Sequence, residues 1–101
     1  MEEVLRIQIS ELIKDFSGRA EAEERRALEL EPDNAKYHQA LGVTLYSMKR
    51  YEEAEAEERR AIELEPDNAE YYESLAITLR AMNKEKEAEQ AEAKAAELRR
   101  K

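Results

Sequence analysis

A long internal copy constrains this chain more than any other feature of its sequence. Residues 20–35, AEAEERRALELEPDNA, recur at 54–69 as AEAEERRAIELEPDNA, with 15 of 16 positions identical. This is a 34-residue period, and self-similarity at a fixed period of this length is typical of arrays in which small structural units stack on their neighbours. The 101 residues hold three such units, at 1–34, 35–68 and 69–101, which together make a single domain.

Each copy combines a helical stretch with a helix stop. The Glu- and Arg-rich stretch ends at Pro32 or Pro66, and proline lacks the amide that a helix interior requires. The Asp-Asn pair after each proline offers side-chain oxygens that can cap the next helix. Between these stops apolar residues recur every three or four positions, and Lys49-Arg50 and Asn83-Lys84 interrupt the pattern. The sequence therefore predicts two antiparallel helices in each unit, about six in all, and an all-α solenoid.

Composition supports this fold only because of its alanines. Leu, Ile, Val and Phe account for 18 of 101 residues while 42% of residues are charged, a balance otherwise typical of disordered chains. Sixteen alanines offset this balance, because alanine favours helix and its small volume allows close helix packing. Near-verbatim copies rich in Glu, Lys and Arg are also what consensus-like, designed or thermophilic sequences contain.

The same composition excludes several classes of function. The chain has no cysteine, so it forms no disulfide and no thiolate-bound metal site. A net charge of -8 opposes binding to nucleic acid, and the apolar runs are too short to span a membrane. Since His38 is the only histidine and no phosphate loop or nucleophile elbow is present, we expect no enzymatic activity, no cofactor and no metal. If the chain is natural, we expect it in the cytoplasm.

The middle unit resembles the tetratricopeptide repeat family. The positions that carry the resemblance are Leu41-Gly42, Leu45, Tyr51, Ala54, Ala61 and Pro66. Gly42 and Ala54 are small enough for the two helices of a hairpin to approach closely. The resemblance implies a right-handed superhelix whose first helices line a concave groove that takes an extended or helical peptide. Three positions depart from the family pattern, since His38, Glu58 and Glu92 replace residues that are usually aromatic.

The first sixteen residues do not match the other units. They contain seven of the 18 strongly apolar residues, mostly on one dense helical stripe. Counting strictly by the period places this stripe on the concave face. A shorter turn at Ser17-Gly18 would instead place Ile9, Ser10, Ile13 and Phe16 on the seam between the two helices. Either register leaves large aliphatic surface on the first helix, and we expect a partner there.

The resemblance identifies groove-facing residues in all three units. They are Leu5, Ile9, Leu12 and Ile13 in the first unit, Gln39, Val43 and Tyr46 in the second, and Glu73, Ile77 and Arg80 in the third. A peptide or an amphipathic helix of another protein would present anchors at i, i+3 or i+4, and i+7 to this surface. The alternative is a self-assembling, homodimeric scaffold in which a second copy of the chain covers the apolar first helix.

Overall fold

The chain forms five α-helices between residues 2 and 101. The structure, a computed structural model, describes the backbone from Glu2 and the side chains from Asp15 onward. The helices are α1 (Glu2–Leu30), α2 (Ala35–Ser47), α3 (Tyr51–Leu64), α4 (Ala69–Ala81) and α5 (Glu85–Arg99). The pairs α2–α3 and α4–α5 are helix hairpins, α3 packs on α4, and α1 packs on α2. The all-α repeat architecture predicted from the sequence is therefore confirmed.

The prediction of two helices in the first unit is wrong. α1 continues through Ser17 and Gly18, so the described chain has five helices rather than six. Among the residues described, neither glycine has a positive φ, and no proline precedes Pro32. Gly18 therefore continues the helix instead of ending it in the left-handed conformation of a C-terminal cap.

Both predicted registers require the first helix to fold back on α1, and the continuous helix does not. The register that keeps the repeat spacing places Gln8 and Glu11 where the second unit has Gly42 and the fully buried Leu45, and burying such polar groups without partners costs free energy. The register that places Ile9 on the seam leaves a turn two residues shorter than the one between α2 and α3. A continuous helix avoids both problems.

The structure has the helix caps that the two copies of the repeated segment predicted. Asn34 caps α2, since its Oδ1 accepts a hydrogen bond from the Tyr37 amide at 3.2 Å. Asn68 caps α4 in the same way through the Glu70 amide at 3.0 Å. The cap is thus the asparagine of each Asp-Asn pair.

Both hairpins turn through a residue with left-handed backbone. Lys49 and Asn83 each have φ of 62° and occupy equivalent positions in successive units. Asparagine tolerates this conformation better than lysine does, because its short polar side chain bonds locally. Lys49→Asn, which copies the third unit into the second, is expected to stabilise the fold by about 0.5 kcal/mol. Urea unfolding checks this, and Asn83→Lys should shift stability the opposite way.

The core consists of alanine seams with leucines between them. Leu41, Leu45 and Ala54 form one fully buried cluster between α2 and α3. A second cluster joins α4 and α5 through Leu75, Ala76, Leu79, Ala88 and Ala91. Between these two clusters, the ring of Tyr71 packs on Ala35 and Ala61. Each helix pair thus packs mainly against its neighbour, which leaves the outer faces of α2 and α4 open.

Candidate partner-binding surface

The surface that best fits a binding role is the exposed side of α2 and α4, called here the α2–α4 face. It carries Gln39, Val43 and Tyr46 from α2 and Glu73, Ile77 and Arg80 from α4. The side chains of Val43 and Ile77 are 48% and 53% exposed, and they occupy equivalent positions one period apart. Since α2 and α4 are in contact, the repeat places two β-branched side chains on one side of the molecule.

The polar residues of the α2–α4 face are held by neighbouring side chains. Gln39 Nε2 donates to Ser74 Oγ at 3.2 Å and ties α2 to α4. Glu73 accepts two hydrogen bonds from the Arg99 guanidinium, at 2.6 and 3.1 Å, and this pairing lowers the pKa of the Glu73 carboxyl. Arg80 donates to Glu85 at 2.9 Å and also to Glu92. The two aliphatic side chains are therefore set among polar groups that already have partners.

Tyr46 belongs partly to the core. Its ring packs against the cluster of Leu41, Leu45 and Ala54 and lies 5.5 Å from the ring of Tyr51, at a tilt of 55°. The sequence singled it out as a contact residue, and the structure leaves it half-buried at the edge of the α2–α4 face.

Four predicted binding residues lie outside the side chains that the structure describes. They are Leu5, Ile9, Leu12 and Ile13. The backbone that carries them is the first half of α1. Their place on a groove stays a prediction from the sequence.

His38 joins α2 to α3 and to the turn that precedes α2. Its Nδ1 lies 2.7 Å from Glu57 Oε2 and its Nε2 lies 2.7 Å from the carbonyl oxygen of Pro32. The side chain is 12% exposed. The ring therefore links α2 to α3 and to the turn before α2, which is the packed seam position that its helical spacing indicated.

A buried carboxyl group at Glu58, with a half-buried one at Glu24, is the feature that the sequence did not predict. Glu58 is 1% exposed; its Oε2 accepts from Thr78 Oγ1 at 3.0 Å, while its Oε1 has no hydrogen-bond partner among the described residues. Burial raises the pKa of Glu58 to about 7. Burial also raises the pKa of Glu24, one period earlier, whose hydroxyl partner is Thr44. The available signal was that Glu24 and Thr44 recur in the next copy as Glu58 and Thr78.

Among the described residues, no three His, Asp or Glu side chains converge so that they could hold a metal ion. No described helix combines the length and the apolar character that crossing a bilayer requires.

Comparisons with known proteins agree with the repeat architecture. Solved structures of MamA superpose on the chain. One from MSR-1 is 26% identical with a TM-score of 0.79, covering 97% of this chain and 55% of its own. Another, which contains residues 41 to the end of MamA from Desulfovibrio magneticus RS-1, is 20% identical with a TM-score of 0.82. The match covers 88% of this chain and 50% of that structure. The chain thus spans about half the length of these structures, and no curated protein matches it significantly.

The family assignment rests on a sequence match as well as on shape. The model of the tetratricopeptide repeat matches residues 18–77, which is more than half of the chain. The match begins inside α1 and ends in α4, so it includes the α2–α3 hairpin and its junctions with both neighbours. The chain belongs to the tetratricopeptide repeat family, whose fold is a protein-interaction scaffold.

Proposed function

We propose that the α2–α4 face binds an amphipathic helix or an extended apolar peptide of another protein. The observation that carries this proposal is the pair of half-exposed side chains, Val43 and Ile77, repeated at one period on adjacent helices. Single exposed apolar residues are ordinary on protein surfaces. Two at equivalent repeat positions, flanked by polar groups that are already paired, form a row of anchor sites instead.

The charge of the chain indicates which ligand would be favoured. The net charge of -8 creates a negative field around the molecule, which draws positively charged partners and repels acidic ones. Apolar anchors spaced by about one or two helical turns match a row of aliphatic side chains in a groove. The preferred ligand is therefore a helix with leucine-like anchors and basic flanking residues.

Replacing both valine and isoleucine should weaken such binding. The probes are two fluorescein-labelled amphipathic peptides with the same leucine anchors, one flanked by lysines and one by glutamates. Fluorescence anisotropy is expected to show tighter binding of the lysine peptide, and a loss of about tenfold or more in the Val43→Gln/Ile77→Gln variant. Both positions are exposed, so the fold should survive, as circular dichroism can check.

The matched control adds the same side chain elsewhere. Ala56→Gln places glutamine on the exposed side of α3 and copies Gln90 of the next unit. It should bind the lysine peptide as the unchanged chain does. Equal binding by the control and by the Val43→Gln/Ile77→Gln variant would show that the α2–α4 face is not the site.

Self-association through α1 is the second candidate. It is favoured by two large apolar side chains that remain exposed on α1, Phe16 at 62% and Leu30 at 79%. A polar outer face would be expected if α1 simply capped the array.

A further inference from the structure

One face of α1 lacks the helix that covers the same face of α3. Ala54 and Ala61 of α3 are fully buried beneath residues of α2. Their equivalents one period earlier, Ala20 and Ala27, are only half-buried. Leu30 on this side of α1 is largely exposed. This face, carrying Ala20, Ala27 and Leu30, is called here the α1 slot, and it has the shape of a repeat whose first helix is missing.

The sequence of the first half of α1 suits that slot. Ile9-Ser10 and Ile13 repeat the order of aliphatic, small and aliphatic residues that Leu41-Gly42 and Leu45 present to α3. The distance in sequence from Ile9 to Ala20 is two residues shorter than the distance from Leu41 to Ala54. The structure does not make this turn, since α1 runs straight through Ser17 and Gly18, and short hinges favour exchange between chains. The segment can reach a slot on a second copy without making that turn.

We propose that two copies of the chain pair through α1 as antiparallel helices, each placing residues 2–16 in the α1 slot of the other. The inference rests on the self-association proposed above and specifies its contact. The two-fold axis passes beside Phe16 and Ser17, so the exposed Phe16 rings of the two copies are covered at the centre. Each copy thereby completes the first repeat of its partner.

The apolar pattern of α1 favours an antiparallel over a parallel pair. One apolar stripe runs along the helix, and it consists of Ile9, Ile13, Phe16, Ala20, Ala27 and Leu30. Its spacings are three or four residues, except between Ala20 and Ala27, where Glu23 and Glu24 occupy the intervening turn. Large residues fill its first half, and alanines dominate its second half. In the antiparallel register Ile13 lies against Ala20 of the partner and Phe16 lies beside Ser17, so a large side chain meets a small one at both positions. Parallel pairing would set alanine against alanine and leave the pair poorly packed.

Cysteine cross-linking tests the register, because the chain itself has no cysteine. Transposing the contact of Leu45 with Ala54 places residue 13 of one copy against residue 20 of its partner. An oxidised mixture of the single variants Ile13→Cys and Ala20→Cys should therefore yield a disulfide-linked heterodimer, and neither variant alone should cross-link comparably. Seven residues of helix separate the positions by about 10 Å, which exceeds the reach of a disulfide within one chain.

Closing the hairpin provides the second test. Inserting Asn-Gly after Ser17 restores the missing two residues and supplies a turn, so the first helix can fill its own slot. Light scattering should find a dimer for the unchanged chain and a monomer for the insertion variant. The unchanged chain could be a dimer and yet cross-link between position 13 of both copies, or fail to cross-link between positions 13 and 20. Either result overturns the antiparallel pair but keeps self-association. A monomeric unchanged chain overturns both, and leaves peptide binding to the α2–α4 face unaffected.

Discussion

Gly42→Ala is expected to destabilise the chain by about 1–3 kcal/mol, the usual cost of overpacking a core. An added Cβ at Gly42 would lie 2.8 Å from Glu58 Cγ and 3.3 Å from the backbone oxygen of Ala54. The Glu58 side chain is buried and held by Thr78, so it cannot swing away without breaking that hydrogen bond. The clash therefore outweighs the gain of about 1 kcal/mol that alanine normally brings to a helix interior.

The same substitution at Gly18 provides a control, because it is expected to change the stability in the opposite direction. Gly18 is exposed in the middle of α1, and no described atom lies within 4 Å of a Cβ built there. Gly18→Ala should stabilise the chain by about 0.5–1 kcal/mol through helix propensity alone. Urea unfolding of both variants measures the difference. If Gly42→Ala raised stability as Gly18→Ala does, close packing between α2 and α3 would not be limiting.

The third unit shows how the chain avoids this clash when alanine is present. Ala76 is the equivalent of Gly42, and it is buried in the α4–α5 cluster. The equivalent of Glu58 is Glu92, which is exposed and pairs with Arg80 instead. Glycine at 42 and a buried carboxyl at 58 therefore occur together, and so do alanine at 76 and an exposed carboxyl at 92.

The repeat made much of the fold predictable. Prolines, Asp-Asn pairs and the interrupted apolar pattern gave the ends of α2 through α5, because each of these signals acts on the local backbone. The course of α1 was not predictable by copying the other units, since it depends on a turn that is two residues too short. Whether a helix folds back depends on its seam contacts as well as on its own sequence.

The candidate site was predictable to a similar degree. The period makes Val43 and Ile77 equivalent positions, and the resemblance to the tetratricopeptide repeat named both as groove-facing before the structure. The pairing of Tyr46 with Tyr51 and the burial of Glu58 depend on how α2, α3 and α4 pack. On a helix rich in glutamate, nothing in the local sequence distinguishes the one carboxyl that is buried from those that are exposed. Its hydroxyl partner, Thr78, lies on another helix.

Stability is expected to fall as pH rises from 4.5 to 7, because Glu58 resists ionisation. Burial raises the pKa of Glu58 from its ordinary value of 4.5 to about 7. A raised pKa means that the folded chain holds this proton more tightly than the unfolded chain does. The resulting stability is fully present below pH 4.5 and is lost as pH rises through about 7. The shift corresponds to about 3 kcal/mol at most.

Other carboxyl groups act in the opposite direction and at lower pH. Pairing with Arg25 lowers the pKa of Glu21, and pairing with Arg99 lowers that of Glu73. Carboxyl groups with a lowered pKa contribute stability above pH 4.5, and this stability is lost as the pH falls below 4.5. The pKa of Glu24 is raised, as that of Glu58 is. The change in stability between pH 4.5 and pH 7 therefore reports on the carboxyl groups whose pKa is raised, Glu58 and Glu24.

Glu58→Met should remove most of this dependence on pH and make the chain more stable at pH 7.5 by about 1–3 kcal/mol, since apolar replacement of a buried charge is often stabilising. Methionine preserves the length of the side chain over Gly42. The Thr78 hydroxyl, which loses its carboxyl partner, can bond to the carbonyl of Ser74 one turn earlier. Urea unfolding at several pH values measures the effect.

Glu92→Met provides the matched control, because it makes the same change on the exposed equivalent of Glu58. This variant should keep the slope of stability against pH that the unchanged chain has. Contributions common to all three proteins cancel in the comparison. A flat profile for the unchanged chain, or equal slopes for the two methionine variants, would mean that Glu58 is ionised in the folded state at no cost.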